Sequence, residues 1–110
     1  MSAGEKGPTG GIRVENVALP PEGKAVRVDV GGRPVAIFRV GGNLLAIDAR
    51  CPHVGGPLDQ GTVEGSSVVC PLHGSKFDLE TGAVQDGPAR SGVASYSVRV
   101  EGTTLVLERR

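Results

Sequence analysis

Apolar and polar positions alternate with a period of two along most of the chain. Val26, Val28 and Val30 are interleaved with Arg27 and Asp29, and Tyr96, Val98 and Val100 with Ser97 and Arg99. Successive side chains of a strand point to opposite faces, so this alternation predicts half-buried β-strands from Ile12 onward. After a Gly31-Gly32 turn, Val35, Ile37 and Phe38 continue the pattern. A second turn at Gly41-Gly42-Asn43 leads into the apolar run Leu44-Leu45-Ala46-Ile47, which passes through Asp48-Ala49-Arg50 into a long loop. Short strands are expected near Ser67–Val69 and Lys76–Asp78. A closing hairpin joins Tyr96–Val100 to Thr104–Leu107 across Glu101-Gly102. No amphipathic helical stretch of useful length occurs. Many short strands separated by glycine turns predict an all-β fold, a sandwich or a barrel.

Length and charge narrow the possibilities. At 110 residues the chain is long enough for one domain with a modest core. Twelve acidic and twelve basic residues cancel, so no strong field argues for nucleic acid or a membrane surface. No apolar run approaches a membrane span, and the opening decapeptide lacks a signal-peptide stretch. The expectation is a cytoplasmic, monomeric protein, with residues 1–10 a flexible glycine-rich tail and 11–110 the domain.

The chemistry is concentrated in two short hooks. Cys51-Pro-His53 and Cys70-Pro-Leu-His73, separated by sixteen residues, contain both cysteines and both histidines of the chain. Two thiolates and two imidazoles describe one metal site, either tetrahedral zinc or an iron–sulfur cluster whose two irons take different ligands. Structural zinc sites favour C-x-x-C hooks, which makes the zinc reading the weaker one. A Cys51–Cys70 disulfide would leave both histidines idle.

The two hooks and their surroundings, Cys51-Pro-His53-Val54-Gly55-Gly56-Pro57-Leu58 and Cys70-Pro-Leu-His73-Gly74-Ser75-Lys76-Phe77-Asp78, resemble the Rieske [2Fe-2S] signature. The likeness runs from about Ile12 to Leu107. It implies a [2Fe-2S] cluster with Cys51 and Cys70 on the inner iron and His53 and His73 on the outer one. It also implies an antiparallel β-sandwich or barrel base carrying a small inserted cluster-binding β subdomain, here about residues 49–86. Two neutral imidazoles in place of two thiolates make such a cluster easier to reduce, which suits one-electron transfer. Gly55 and Gly74 suit the tight turns and close backbone approach that a buried cluster needs.

Departures from the high-potential members of the family refine the expectation. Those members staple the hooks with a further disulfide, where this chain has Gly56 and Leu72. They also supply a serine and a tyrosine hydroxyl to the cluster. Ser75 matches the serine, whereas Phe77 stands at the tyrosine position and cannot donate. A potential toward the low end of the range, about −150 rather than about +300 mV, is expected. The family's shielding proline-leucine pair is replaced by Gly92-Val93, so shielding is either looser or supplied by Pro88, and Gly87-Pro88 reads equally well as a simple surface turn.

Standalone domains of this subtype resemble the ferredoxins of aromatic-ring dioxygenase systems, which carry electrons from a flavoprotein reductase to a terminal oxygenase. The resemblance therefore implies an electron carrier without a catalytic site of its own. A mononuclear iron site would need two further histidines and a carboxylate, and both histidines already belong to the hooks. The alternatives are a fixed Rieske-type subunit of a larger redox enzyme, such as a nitrite reductase, and a structural zinc module. The electron exit is expected at the edges of His53 and His73, with Val54, Pro57 and Leu72 as shielding or docking surface. Arg50, Lys76 and Arg90 could steer an acidic partner, although ordinary solvated charge is the default reading of each.

Overall fold

The computed structural model describes residues 12–52, 55–72 and 74–110. The tail expected over residues 1–10 lies outside them, as do His53, Val54 and His73. Among the described residues, ten strands form two antiparallel sheets. The larger sheet takes β1 (Ile12–Glu15), β2 (Ala25–Val30), β3 (Arg33–Val40), β4 (Asn43–Asp48), β9 (Ser95–Glu101) and β10 (Thr104–Arg109), in the order β1-β10-β9-β4-β3-β2. Its two edge strands, β1 and β2, approach each other, so the sheet curls into a near-barrel. The smaller sheet runs β5 (Thr62–Glu64), β6 (Ser67–Val69), β7 (Lys76–Asp78) and β8 (Val84–Asp86) in sequence order. It is built entirely from chain lying between β4 and β9.

The tight hairpins follow from local chemistry. Gly31-Gly32 and Gly41-Gly42 all take positive φ, the conformation a two-residue hairpin turn requires. The Gly41 and Gly42 N–H groups donate to the Glu22 carboxylate at 2.6 and 3.0 Å, which holds that carboxyl below its ordinary pKa.

Strands β3 and β4 explain the placement of the site. Val35, Ala36, Ile37 and Phe38 are all fully buried, which a one-sided strand could not achieve. Their alternate side chains feed two different cores. Val35 and Ile37, with Ala46, Tyr96, Leu105 and Leu107, fill the inside of the near-barrel. Ala36 and Phe38, with Leu45 and Ile47, face the other way and pack against Leu58, Val68, Phe77 and Leu79 of the inserted segment. The second core also contains Cys51 and Cys70. The central strands thus act as a wall shared by barrel and insertion.

Polar contacts tie the neck of the insertion to the base. The Asp48 N–H donates to Ala94 O at 3.0 Å, and the Ala49 N–H to Pro34 O at 3.0 Å. The Tyr96 hydroxyl donates to Asp48 Oδ1 at 2.7 Å, and the Ala94 N–H to Asp48 Oδ2 at 3.3 Å. One carboxylate therefore joins the strand that leaves the base to the strand that returns to it. Burial, reinforced by the bond to Asp48, pushes the Tyr96 phenol above its ordinary pKa. Arg27 reaches from β2 to Asp59, in the single 3-10 turn Leu58–Gln60 of the described residues, at 3.5 Å.

Candidate metal centre

Each cysteine opens a loop, and the two loops share one backbone geometry. In the first, the Cys51 N–H donates to Gly56 O at 2.9 Å and the Gly55 N–H donates back to Cys51 O at 2.7 Å. In the second, the Cys70 N–H donates to Ser75 O at 2.7 Å and the Gly74 N–H donates back to Cys70 O at 3.1 Å. In both loops the residue four positions after the cysteine closes the turn, and the residue five positions after it pairs with the cysteine N–H. The closing residues, Gly55 and Gly74, have φ of +74° and +77°, a region that disfavours any residue with a Cβ. Each loop continues a pairing that flanks it: Arg50 bridges Pro57 across the neck of the first, and β6 pairs with β7 across the second.

The two loops face each other. A Cβ built on Gly56 would lie 2.8 Å from Cys70 Sγ and 3.2 Å from Leu72 Cγ and Cδ1. Gly56 of the first loop is therefore in direct apposition to the sulfur of the second, and its missing side chain leaves the space that this sulfur needs. Gly56 is not in the left-handed region, so its role is to allow close approach. Cys51 and Cys70 are each 2% exposed and form no disulfide. Two thiolates cannot stay ionised in an apolar core without a compensating cation, so the donor set fits a bound metal centre.

The other expected site residues divide clearly. Ser75 and Phe77 are fully buried, Phe77 in the same core as both cysteines. Ser75 Oγ accepts the Ala89 N–H at 3.0 Å, and among the described residues nothing takes its hydroxyl proton. Pro88 is exposed, on a strap of residues 87–91 that crosses both loops. Gly87 presses on the backbone of Gly74 and Ser75, and Pro88, Arg90 and Ser91 share a hollow with Pro52. Leu72 stands 55% exposed beside Gly56. Val93 packs against the core that holds both cysteines, and its N–H donates to Gly82 O at 2.8 Å. Of the three expected steering cations, Lys76 is paired with Glu64 at 3.5 Å. Arg50 and Arg90 have no ion-pair partner among the described residues.

Two buried residues next to the thiols were missed in the sequence. Ala89 sits in the cysteine core at 7% exposure and donates to Ser75, so it, rather than Pro88, fills the inner side of the strap. Leu58 closes the first loop from below, its N–H donating to Ala49 O at 2.8 Å. A glycine four residues after each cysteine was the available signal for the loop equivalence.

Comparison with known proteins gives a consistent picture. The Rieske [2Fe-2S] domain family matches residues 12–97. The 3-phenylpropionate/cinnamic acid dioxygenase ferredoxin subunit of Shigella boydii serotype 4 (strain Sb227) is 39% identical over 93 residues, covering 84% of this chain and 87% of that one. Among solved structures, the ferredoxin of carbazole 1,9a-dioxygenase from Nocardioides aromaticivorans IC177 superposes with a TM-score of 0.79 at 32% identity, over 89% of this chain and 98% of its own. A complex of reduced oxygenase and oxidised ferredoxin in carbazole 1,9a-dioxygenase matches with a TM-score of 0.78 at 28% identity, over 87% of this chain and 92% of that one.

Proposed function

The chain belongs to the Rieske [2Fe-2S] domain family, and from that premise we propose that it is a one-electron carrier, taking an electron from a flavoprotein reductase and delivering it to the terminal oxygenase of an aromatic-ring dioxygenase system. The observation that carries this reading is the pair of matching loops, which bring two buried thiols to one point beneath a short strap. Relatives named as dioxygenase ferredoxins, and a similar structure of a ferredoxin with its oxygenase, support the oxygenase end of this path. We assign Cys51 and Cys70 to the inner iron and His53 and His73 to the outer one. Residues 49–86 form the cluster-bearing subdomain in this reading. When bound, the cluster supplies a reversible one-electron couple within the Rieske range.

The chain's own groups set the conditions for that couple. Leu58, Val68, Phe77, Leu79 and Ala89 keep water from the cysteine side. Gly56 leaves the space for Cys70 Sγ, and the Ser75 hydroxyl, whose oxygen accepts the Ala89 N–H, keeps its own proton available for donation. Phe77 offers no second donor, so we place the potential at the low end, about −150 mV. His53 and His73 form the electron exit. With both histidines assigned to the cluster, the chain has no catalytic site of its own, and it works as a cytoplasmic monomer.

The test uses anaerobically reconstituted protein in a stopped-flow experiment. The reduced chain should transfer one electron per molecule to a dioxygenase terminal oxygenase and be re-reduced by the matching flavoprotein reductase. In native lysate it should elute as a small species. Co-elution with one large partner, together with no transfer to the oxygenase, would instead favour a fixed subunit.

A further inference from the structure

We propose that Arg90, with Arg50 in a lesser role, forms a cationic docking site beside the first loop, and that the partner protein presents a carboxylate to it. This inference rests on the carrier reading above and adds the charge of the partner's face. Arg90 is exposed on the strap that crosses both loops, in a hollow walled by Pro52, Pro88 and Ser91. No acid lines that hollow, and Arg90 has no hydrogen-bond or ion-pair partner among the described residues. Arg50 immediately precedes Cys51 and lines two adjoining hollows, one with Arg27 and Asp29 and the other with Arg33 and Asp48. Each of these hollows sets one aspartate beside its two arginines, so Arg50 shares its surroundings with an acid and, among the described residues, Arg90 does not.

Asp86, just before the strap, is exposed and accepts the Gly87 N–H at 2.8 Å, whereas three other acids near the loops are engaged by side chains. Glu64 pairs with Lys76 at 3.5 Å, Asp59 with Arg27 at 3.5 Å, and Asp48 takes the Tyr96 hydroxyl at 2.7 Å. A chain with zero formal net charge thus leaves an unpaired guanidinium on the face where both loops surface. Exposed Pro52 and Pro88 border it with apolar area. An unpaired guanidinium set in an apolar rim matches a partner surface that offers a carboxylate within an apolar ring. There, bidentate pairing would fix the orientation of the two proteins.

The test follows oxidation of the reduced, cluster-loaded protein by two one-electron oxidants, ferricyanide and hexaammineruthenium(III), by stopped flow. In each reaction one electron leaves the protein and the probe metal falls from the +3 to the +2 state. The ferricyanide rate should fall as salt is added and the ruthenium rate should rise. At about 10 mM ionic strength, Arg90→Gln should slow ferricyanide about fourfold, the effect of one charge about 10 Å from a trivalent ion. Arg90→Glu should slow it further and speed the ruthenium probe, and Arg50→Gln should have a smaller effect. All differences should vanish near 0.5 M salt, with midpoint potential and EPR spectrum unchanged. Variant rates equal to wild type for both probes would overturn the docking site and leave the carrier reading intact. A midpoint shift that accounts for the rate change would also overturn it, by moving Arg90's effect onto the cluster. Failure of the unsubstituted reduced protein to give an electron to either probe would strike at the carrier reading instead.

Discussion

Replacing Gly56 with alanine adds one methyl group at the point where the two loops meet. That methyl carbon would lie 2.8 Å from Cys70 Sγ and 3.2 Å from two carbons of Leu72. Ordinary non-bonded contact between heavy atoms is about 3.5–4.0 Å, so the sulfur must move by roughly 0.7 Å or more. Leu72 is 55% exposed and can swing outward, so its share of the clash is readily relieved. The sulfur is different. In the cluster-free chain it can turn to another rotamer, and the cost is that of ordinary overpacking, about 1–3 kcal/mol. In the loaded chain a ligand sulfur must keep its place to within about 0.2 Å, so the same strain falls on cluster binding. About 1–3 kcal/mol corresponds to a loss of affinity of about 5- to 150-fold. Gly56→Ala should therefore fold, with a near-normal circular dichroism spectrum, yet retain iron and sulfide at a small fraction of the wild-type ratio. Adding Leu72→Ala should restore little. Full iron and sulfide content with an unaltered EPR spectrum in Gly56→Ala would refute the reasoning. Complete rescue by Leu72→Ala would move the critical contact from sulfur to leucine.

Ser75→Ala should leave the buried Ala89 N–H without an acceptor, costing about 1–3 kcal/mol in thermal unfolding of the cluster-free protein. It should also lower the midpoint potential of the loaded protein; an unchanged midpoint would remove the hydroxyl from the redox account. Phe77→Tyr should move the midpoint upward if the missing donor sets the low potential, and a redox titration showing no rise would make Phe77 a packing residue only. Tyr96→Phe should lose about 1–2 kcal/mol through the Asp48 bond at the neck. The folded phenol has a raised pKa, so the folded state binds the proton more tightly than the unfolded chain. Its stabilising contribution is complete below about pH 10 and declines as pH climbs toward the folded value. The urea midpoint of wild type should accordingly fall above about pH 10 more steeply than that of Tyr96→Phe, and parallel curves would contradict the assignment.

Much of the fold was legible because strand alternation and paired-glycine turns are local signals. Val26, Val28 and Val30 against Arg27 and Asp29 predict β2, and Gly31-Gly32 and Gly41-Gly42 set the hairpins around β3. The run Val35–Phe38 identifies a strand, but only the tertiary arrangement shows that its two faces serve two cores, one of them housing the cysteines. Strands β5 and β8 escaped notice because each has only three residues and a mostly exposed surface, too short for an alternation to register, although each pairs with a strand adjacent in sequence. The two hooks read as one metal site from residue types alone. Their geometric equivalence is hidden in the sequence because the histidines stand two residues after one cysteine and three after the other. The repeat lies in the backbone, at Gly55 and Gly74. The position of Ala89 could not be read, since a small apolar residue in a glycine- and proline-rich strap carries no period. Pro88, the residue singled out there, turns outward.

The central claim is that the chain holds a low-potential Rieske centre through two cysteines and two histidines. An EPR-monitored redox titration of the reconstituted protein tests it most directly. The account predicts a rhombic signal from the reduced protein, hyperfine coupling to two imidazole nitrogens that is lost in His53→Ala and His73→Ala, and a midpoint nearer −150 than +300 mV. A midpoint above zero would contradict the low-potential reading, and a colourless protein holding stoichiometric zinc would contradict the centre itself.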